Sequence, residues 1–322
     1  MVKWGVLGTA SIAAGCTIPG MKQATNCELY AIAGRNSEKV DLFKERFGFE
    51  KGYVCYDALL ADENVQAVYI PLPNNIHKEW VIKSLKAGKH VLCEKPMALN
   101  AAEAEEMYAV ARENGVILME AYAYLHGQFM EALKKDISAG EIGDIVYIDT
   151  AFVTQGYKED FRLHKELGGG MIYDLGCYCT TMMLSLIDSD IEYVKACGEM
   201  TDEGVDAFVG GLLKFKNGAR GSFNVGMILG ENTNSRYDRL FIHGTKGNIK
   251  SEYEYNAAGE LAYRIIKNGT EQIRKVPTEH NYKLEVEQLG RCILNGETAH
   301  ITPEFSVKNV RVLDALLKEV GY

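Results

Sequence analysis

Cysteine occurs only as eight scattered residues (Cys16, Cys27, Cys55, Cys93, Cys177, Cys179, Cys197 and Cys292), with no CxxC pair and no Cys/His ligand spacing. In a chain of 322 residues that excludes a small disulfide framework and a structural zinc site, and it predicts reduced thiols in the cytoplasm and no metal. Proline is scarce at six residues, and no repeat or low-complexity stretch interrupts the chain, so collagen-like, coiled-coil and disordered classes drop out. Basic residues are in deficit. Lys and Arg number 35 against 44 Asp and Glu, and the formal charge of -9 repels nucleic acid and anionic membrane at long range. Long apolar runs are missing too: Trp4 to Met21 carries no charge, but its glycines, Pro19 and hydroxyl residues break it before it could act as an export signal or cross a bilayer.

What is present is an ordinary globular composition, 47% hydrophobic and 25% charged, in a length that suits two domains. Residues 1–121 alternate short apolar runs with helical stretches, the pattern of βαβ units and a parallel sheet, so they are expected to form a dinucleotide-binding Rossmann domain. Strands are predicted at Lys3–Leu7, Glu28–Ala33, Ala67–Ile70, His90–Cys93 and Val116–Glu120. Helices are predicted at Ser37–Phe47, Lys78–Ala87 and Ala101–Glu113, closed by Gly48, Gly88 and Gly115. Residues 122–322 change character. After a helix at Gln128–Ser138 come β-rich runs around Asn217-Gly218, Gly244-Thr245-Lys246-Gly247 and Asn268-Gly269, the last strand of the middle pair running from Asn248 to Tyr253. Asn-Gly between such runs marks hairpins, so this half is expected to be an α+β domain with a large, mostly antiparallel open sheet, serving substrate binding and oligomerisation.

Chemistry gathers at the predicted strand ends. Gly8-Thr9-Ala10-Ser11-Ile12-Ala13 follows the first strand as a dinucleotide fingerprint with Ala10 in place of the second glycine. The second strand ends in Gly34-Arg35-Asn36-Ser37 with no carboxylate to bind a ribose 2'-hydroxyl. Arg35, with Ser37 and Lys39, suits a 2'-phosphate, which predicts NADP with NAD possible. Pro71, Asn74 and His77 lie after a buried strand, where ligands bind; the same residues also suit a plain helix start capped by Asn75. Glu94-Lys95-Pro96 follows the next strand, and the proline extends Lys95 over the sheet edge. Finally, Gly168-Gly169-Gly170 precedes Asp174 and Tyr178, four apart at a helix start, and a tyrosine near a lysine is suited to move a proton during hydride transfer.

Taken together, the Gly8 turn, Glu94-Lys95-Pro96 and the Gly-Gly-Gly...Asp-x-Gly-x-Tyr run resemble the Gfo/Idh/MocA oxidoreductases over nearly the whole chain, including Gly244-Thr245-Lys246-Gly247 and Leu313-Asp314-Ala315. Tyr178, where many relatives carry His, places the chain nearer the dimeric dihydrodiol dehydrogenase and glucose-fructose oxidoreductase side. The resemblance implies that Lys95 is the catalytic lysine, Pro96 a frequently cis proline, and Asp174 and Tyr178 the substrate-site pair. It further implies a small polyhydroxylated substrate, a sugar, anhydrosugar or cyclic diol, bound between the domains by Lys95, Asp174 and Tyr178; Arg162 and His164, just before the triple glycine, are further candidates to line that pocket, with nothing local to distinguish them from surface residues. Glu94 joins the expected cofactor set. A homodimer or higher homo-oligomer is expected because the strands outnumber the helices available to cover them. The alternative is a cofactor-binding sensor without turnover.

Overall fold

The computed structural model describes residues 1–231, 233–252 and 254–322. Tyr253, the expected end of one strand, lies outside the described residues. The chain divides into two compact units, and the division is not a single cut after residue 121. Met1–His126 combine with His280–Val307, while Gly127–Glu279 combine with Lys308–Tyr322.

The first unit is built on six parallel strands: β1 (Val2–Leu7), β2 (Cys27–Ala33), β3 (Lys51–Tyr53), β4 (Ala67–Ile70), β5 (His90–Glu94) and β6 (Leu118–Ala121). Their order, β3-β2-β1-β4-β5-β6, is the doubly wound arrangement in which the connections reverse direction beside β1, so ligands bind at the carboxyl ends there. β4 and most of β1 are buried, which explains why they read as nearly unbroken apolar runs with no polar face. Helices α1 (Ile18–Gln23), α2 (Ser37–Phe47), α3 (Tyr56–Leu60), α4 (His77–Lys86) and α5 (Ala101–Glu113) fill the crossovers. Gly48, Gly88 and Gly115 all take positive φ, the left-handed conformation expected just past a helix end.

Another helix of this unit comes from far along the chain. α8 (Asn281–Asn295) reaches the sheet because Thr25 N–H donates to Glu287 Oε1 (2.9 Å) and Asn26 Nδ2 donates to the Glu287 carbonyl (2.8 Å). A Cβ on Gly20 would collide with the backbone of Tyr282 and Lys283, so glycine there sets how closely α1 and α8 approach.

The second unit carries eight strands: β7 (Ile145–Gly156), β8 (Ile191–Met200), β9 (Asp206–Phe215), β10 (Arg220–Glu231), β11 (Arg236–Gly244), β12 (Asn248–Ser251), β13 (Gly259–Lys267) and β14 (Thr270–Thr278). Their order is β14-β13-β12-β11-β7-β10-β9-β8, antiparallel except for the central β7–β10 pair. One face packs on α7 (Cys177–Leu186), whose residues from Cys177 to Leu184 are all buried. The register carries one row of side chains across the other face, Leu212, Ser222, Asp149, Phe241, Lys250, Arg264 and Ile273, with Ile273 57% exposed. Alternation of buried and open positions along β10 and β11 is the half-buried pattern of an open sheet. α6 (Gln128–Ser138) and most of α9 (Pro303–Val320) complete this unit.

Candidate active site

In the first unit the expected cofactor residues stand along the carboxyl edge of the sheet. Gly8 N–H donates to the Ala33 carbonyl (2.8 Å), pinning the turn to β2. Its φ of +126° is a conformation L side chains avoid, and a Cβ there would stand 3.0 Å from Leu72 Cδ2. The helical run that follows is π-wound over Ala13–Thr17, and Ala14 N–H donates back to the Ala10 carbonyl (3.1 Å). N–H groups ahead of it in a helix have no partner within the helix, so this terminus can receive the oxygens of a pyrophosphate. Thr9 and Ala10 are half-buried, while Ser11 and Ile12 are exposed. An open Ile12 beside a polar turn offers an apolar surface to a bound ring.

Arg35 is exposed at the end of β2, with its guanidinium beside the Tyr56 hydroxyl. Asn36 caps α2 by accepting the Lys39 N–H (2.9 Å), which leaves Ser37 exposed at the first helical position. Arg35, Ser37 and Lys39 are all exposed around the end of β2 and the start of α2, where Glu38 is the carboxylate of the first turn, and the two cations with the hydroxyl offer donors that suit a 2'-phosphate.

Pro71 and Asn74 are buried at the next strand end, Asn74 in a short 3-10 turn, and α4 starts at His77 without a side-chain cap, so Asn75 does not take that role. His77 departs from expectation. It is fully buried, with Nδ1 at 3.0 Å from the Pro96 carbonyl and Nε2 at 2.7 Å from the Leu72 carbonyl. Burial pushes its pKa down to about 4 against the pull of those carbonyls, so the ring is neutral and donates one N–H. A side chain with no accessible surface and both nitrogens on backbone carbonyls does not reach a ligand; His77 ties the 71–73 turn to the turn after Lys95.

Glu94 is likewise an internal partner. Thr17 Oγ1 donates to Tyr69 Oη (2.9 Å), and that hydroxyl donates to Glu94 Oε1 (2.5 Å), linking the π-wound turn, β4 and β5. Thr17 and Tyr69 had no signal in the sequence, because a buried hydroxyl in an apolar run looks like any core residue. Lys95 follows directly, joined to Pro96 by a cis peptide bond.

The second unit holds the other expected residues. Gly168 and Gly170 take φ of +76° and +100°, and the helix after them is π-wound over Ile172–Gly176 before α7 begins. Asp174 is 8% exposed, and its Oδ2 accepts the Arg162 Nε–H at 2.6 Å. Arg162 also donates from Nη1 to Asp160 (2.9 Å) and lies over the Tyr157 and Phe161 rings. Burial works against the Arg162 charge, but Asp174 and Asp160 outweigh it and hold the guanidinium protonated. Arg162, expected to bind substrate, thus spends its fork on Asp174 and balances that carboxylate.

Tyr178 is 7% exposed, with its ring against Phe152 (5.4 Å) and Tyr255 (5.1 Å). Asn256 Nδ2 donates to its hydroxyl at 3.4 Å. Arg236 stacks over Phe152 (4.3 Å), pairs with Asp238 and lies within electrostatic reach of Tyr178. Phe152, Tyr255, Asn256 and Arg236 come from strands and a turn with no motif, so only packing reveals them. At the head of this helix, Asp206 Oδ2 accepts the Ile172 N–H at 2.6 Å, and burial pushes Asp206 up to about 7 against that bond.

Among the described residues, no group of three or more His, Cys, Asp or Glu could hold a metal ion, and no helix is long and apolar enough to cross a membrane. A family model for the oxidoreductase family with NAD-binding Rossmann fold matches residues 2–122, and one for the Gfo/Idh/MocA C-terminal domain matches residues 130–250. The D-xylose 1-dehydrogenase (NADP(+)) 2 of Haloferax volcanii is 32% identical, over 97% of this chain and 95% of its own. The trans-1,2-dihydrobenzene-1,2-diol dehydrogenase of Xenopus tropicalis is 30% identical, over 99% and 98% respectively. Among solved structures, a 3-ketoreductase from Actinomadura kijaniata in complex with NADP and TDP-benzene is similar, with a TM-score of 0.92, 28% identity and 99% and 98% of the two chains covered.

Proposed function

Since the chain belongs to the Gfo/Idh/MocA family of NAD-binding Rossmann oxidoreductases, we propose that it is an NADP-dependent dehydrogenase or reductase acting on a carbinol or carbonyl of a sugar, anhydrosugar or cyclic diol. The observation that carries this reading is the Asp174–Tyr178 pair: a carboxylate charge-balanced by Arg162 precedes, by one turn, a phenol held by Asn256 inside an aromatic cage. A sensor needs no such group for moving a proton. The NADP-dependent xylose dehydrogenase and the diol dehydrogenase, similar along their lengths, support the same substrate class.

When bound, the nicotinamide accepts or supplies the hydride. Lys95 donates to the substrate oxygen and to the nicotinamide ribose. In reduction Tyr178 Oη gives its proton to the carbonyl oxygen and is left as a phenolate beside the Arg236 cation, and in oxidation that phenolate takes the proton from the reacting hydroxyl. Asp174 accepts from the neighbouring hydroxyl and so orients the diol. Arg35, with Ser37 and Lys39, binds the 2'-phosphate, while the Gly8 turn and the helix behind it receive the pyrophosphate. A panel of aldoses, anhydrosugars, inositols and dihydrodiols, read at the nicotinamide absorbance with each cofactor, tests the reading; silence across the panel with both cofactors returns the protein to the sensor class.

The cross-strand row from Leu212 to Ile273 supports a homodimer formed through the open sheet face, and the free thiols of all eight cysteines suit the cytoplasm. Light scattering at micromolar concentration is expected to report at least a dimer, and a monomer would remove that assignment.

A further inference from the structure

The carboxyl end of β6 holds a group that none of these roles uses. Glu120 is fully buried and sits in register with Cys93 of β5, two residues before Lys95. Its Oε1 accepts the backbone N–H of Met97, the residue after Pro96, at 3.0 Å. Ser306 near the start of α9 and Tyr122 just past β6 face the carboxyl, yet Oε2 closes no hydrogen bond among the described residues. The cation that faces it is Lys95. Cys93 from β5 and Tyr108 from α5 are the other titratable groups against it, and Glu304 faces Tyr108 from the start of α9.

A carboxyl removed from water at a strand end, with one oxygen anchoring the turn beyond a lysine and its charge within electrostatic reach of that lysine, fixes where the turn runs and so where the ammonium stands. We propose that Glu120 is the positioning residue of Lys95, anchoring the 95–97 turn so that the ammonium is held for contact with the substrate oxygen. The proposal rests on Lys95 being catalytic. Burial pushes Glu120 up to about 7, against the opposing effects of Ser306, the Met97 N–H, Tyr122 and Lys95. The partner of Lys95 therefore changes charge near neutral pH: above that range Lys95 faces a carboxylate, below it a neutral acid.

Glu120→Gln keeps the shape and the acceptor for Met97 but loses the charge. In the NADP-bound enzyme, kcat is expected to fall about tenfold or more with the cofactor KM little changed, because the lost interaction acts at the reacting oxygen. The limb of the pH profile near 7 should vanish. Glu120→Asp should recover part of the rate and restore the limb. A merely structural carboxyl would lower thermal stability and leave the shape of the pH profile intact, and that result overturns the proposal. Should Glu120→Gln fail to fold, NMR titration of 13C-labelled glutamate carboxyls decides. Wild type should show a carboxyl with a midpoint near 7, beside the raised carboxyl of the buried Glu285; that midpoint should rise when Lys95→Ala removes the cation, and an unmoved midpoint overturns the coupling. Full activity in Lys95→Ala would instead overturn the reading of Lys95, a separate outcome.

Discussion

The helix behind Gly8 and the helix behind Gly170 start alike, each with a glycine at positive φ followed by a π-wound turn, but they differ in exposure and in what meets their first turn. Ser11 and Ile12 stand open at the first, whereas every residue of Ile172–Gly176 is buried and Asp206 takes the Ile172 N–H at the second. A helix start whose N–H groups are open is ready for an anion from outside. One that already holds an internal carboxylate positions its own side chains instead. The difference fits the proposed division of work, in which the first unit receives the phosphates and the second presents Asp174 and Tyr178.

The largest expected effect separates the two contributions. Lys95→Ala and Tyr178→Phe should each lower kcat by about 100-fold or more, the usual scale for losing acid-base catalysis. Cofactor dissociation, followed by nicotinamide fluorescence, should hardly change in Tyr178→Phe; a weakened cofactor there would mean that the second unit also binds NADP directly.

Next in size is cofactor choice. Arg35→Ala should erase a preference for NADP over NAD of about tenfold or more, since each charge-assisted bond to phosphate contributes roughly 1.5 to 3 kcal/mol. Equal losses of kcat/KM with both cofactors would show that Arg35 stacks on the adenine instead.

Smallest is the internal cap. Asp206→Ala removes the acceptor of the Ile172 N–H, and loss of a cap costs about 0.5 to 2 kcal/mol, or roughly 1 to 3 °C in Tm at this size. Asp206→Asn sharpens the test through pH. The folded Asp206 has its pKa raised to about 7, so its contribution is complete below the ordinary carboxylate range and is lost as pH rises through 7. The Asn variant has no such loss. Its Tm relative to wild type should therefore climb between about pH 5 and about pH 8. A pH-independent difference would show that Asp206 is an ordinary ionised cap, and the contrast between the two helices would rest on burial alone.

Most of the first unit could be read directly from residues 1–121. The Ser37–Phe47 and Ala101–Glu113 helices fall where the apolar spacing and terminal glycines put them, and Ala67–Ile70 is a strand along its whole expected length. The three-residue β3 and the five-residue α3 are too short to show a period. β8 also gave no signal: Ile191–Met200 is an edge strand, open along most of its length and without the alternation that burial imposes. In the second unit, the Asn217-Gly218 and Asn268-Gly269 hairpins could be read from their turns. The parallel β7–β10 pairing, whose partners lie more than sixty residues apart, could not.

The candidate site divides in the same way. Gly8, Arg35, Lys95, Asp174 and Tyr178 were visible because each belongs to a local pattern: a turn that needs a glycine, a strand end without a carboxylate, a charged pair before proline, a four-residue helical spacing. Local order in the chain was enough to specify these, since each pattern is satisfied by a few consecutive residues. Only the tertiary structure assigned Arg162 to Asp174, withdrew His77 into the backbone and brought α8 to the first unit. It also placed Glu120 beneath the Lys95 turn and Asp206 at the head of the Tyr178 helix. A buried polar side chain takes its role from whatever donor or charge the fold brings within about 3 Å, and that partner is set by packing between elements rather than by the residues next to it in sequence.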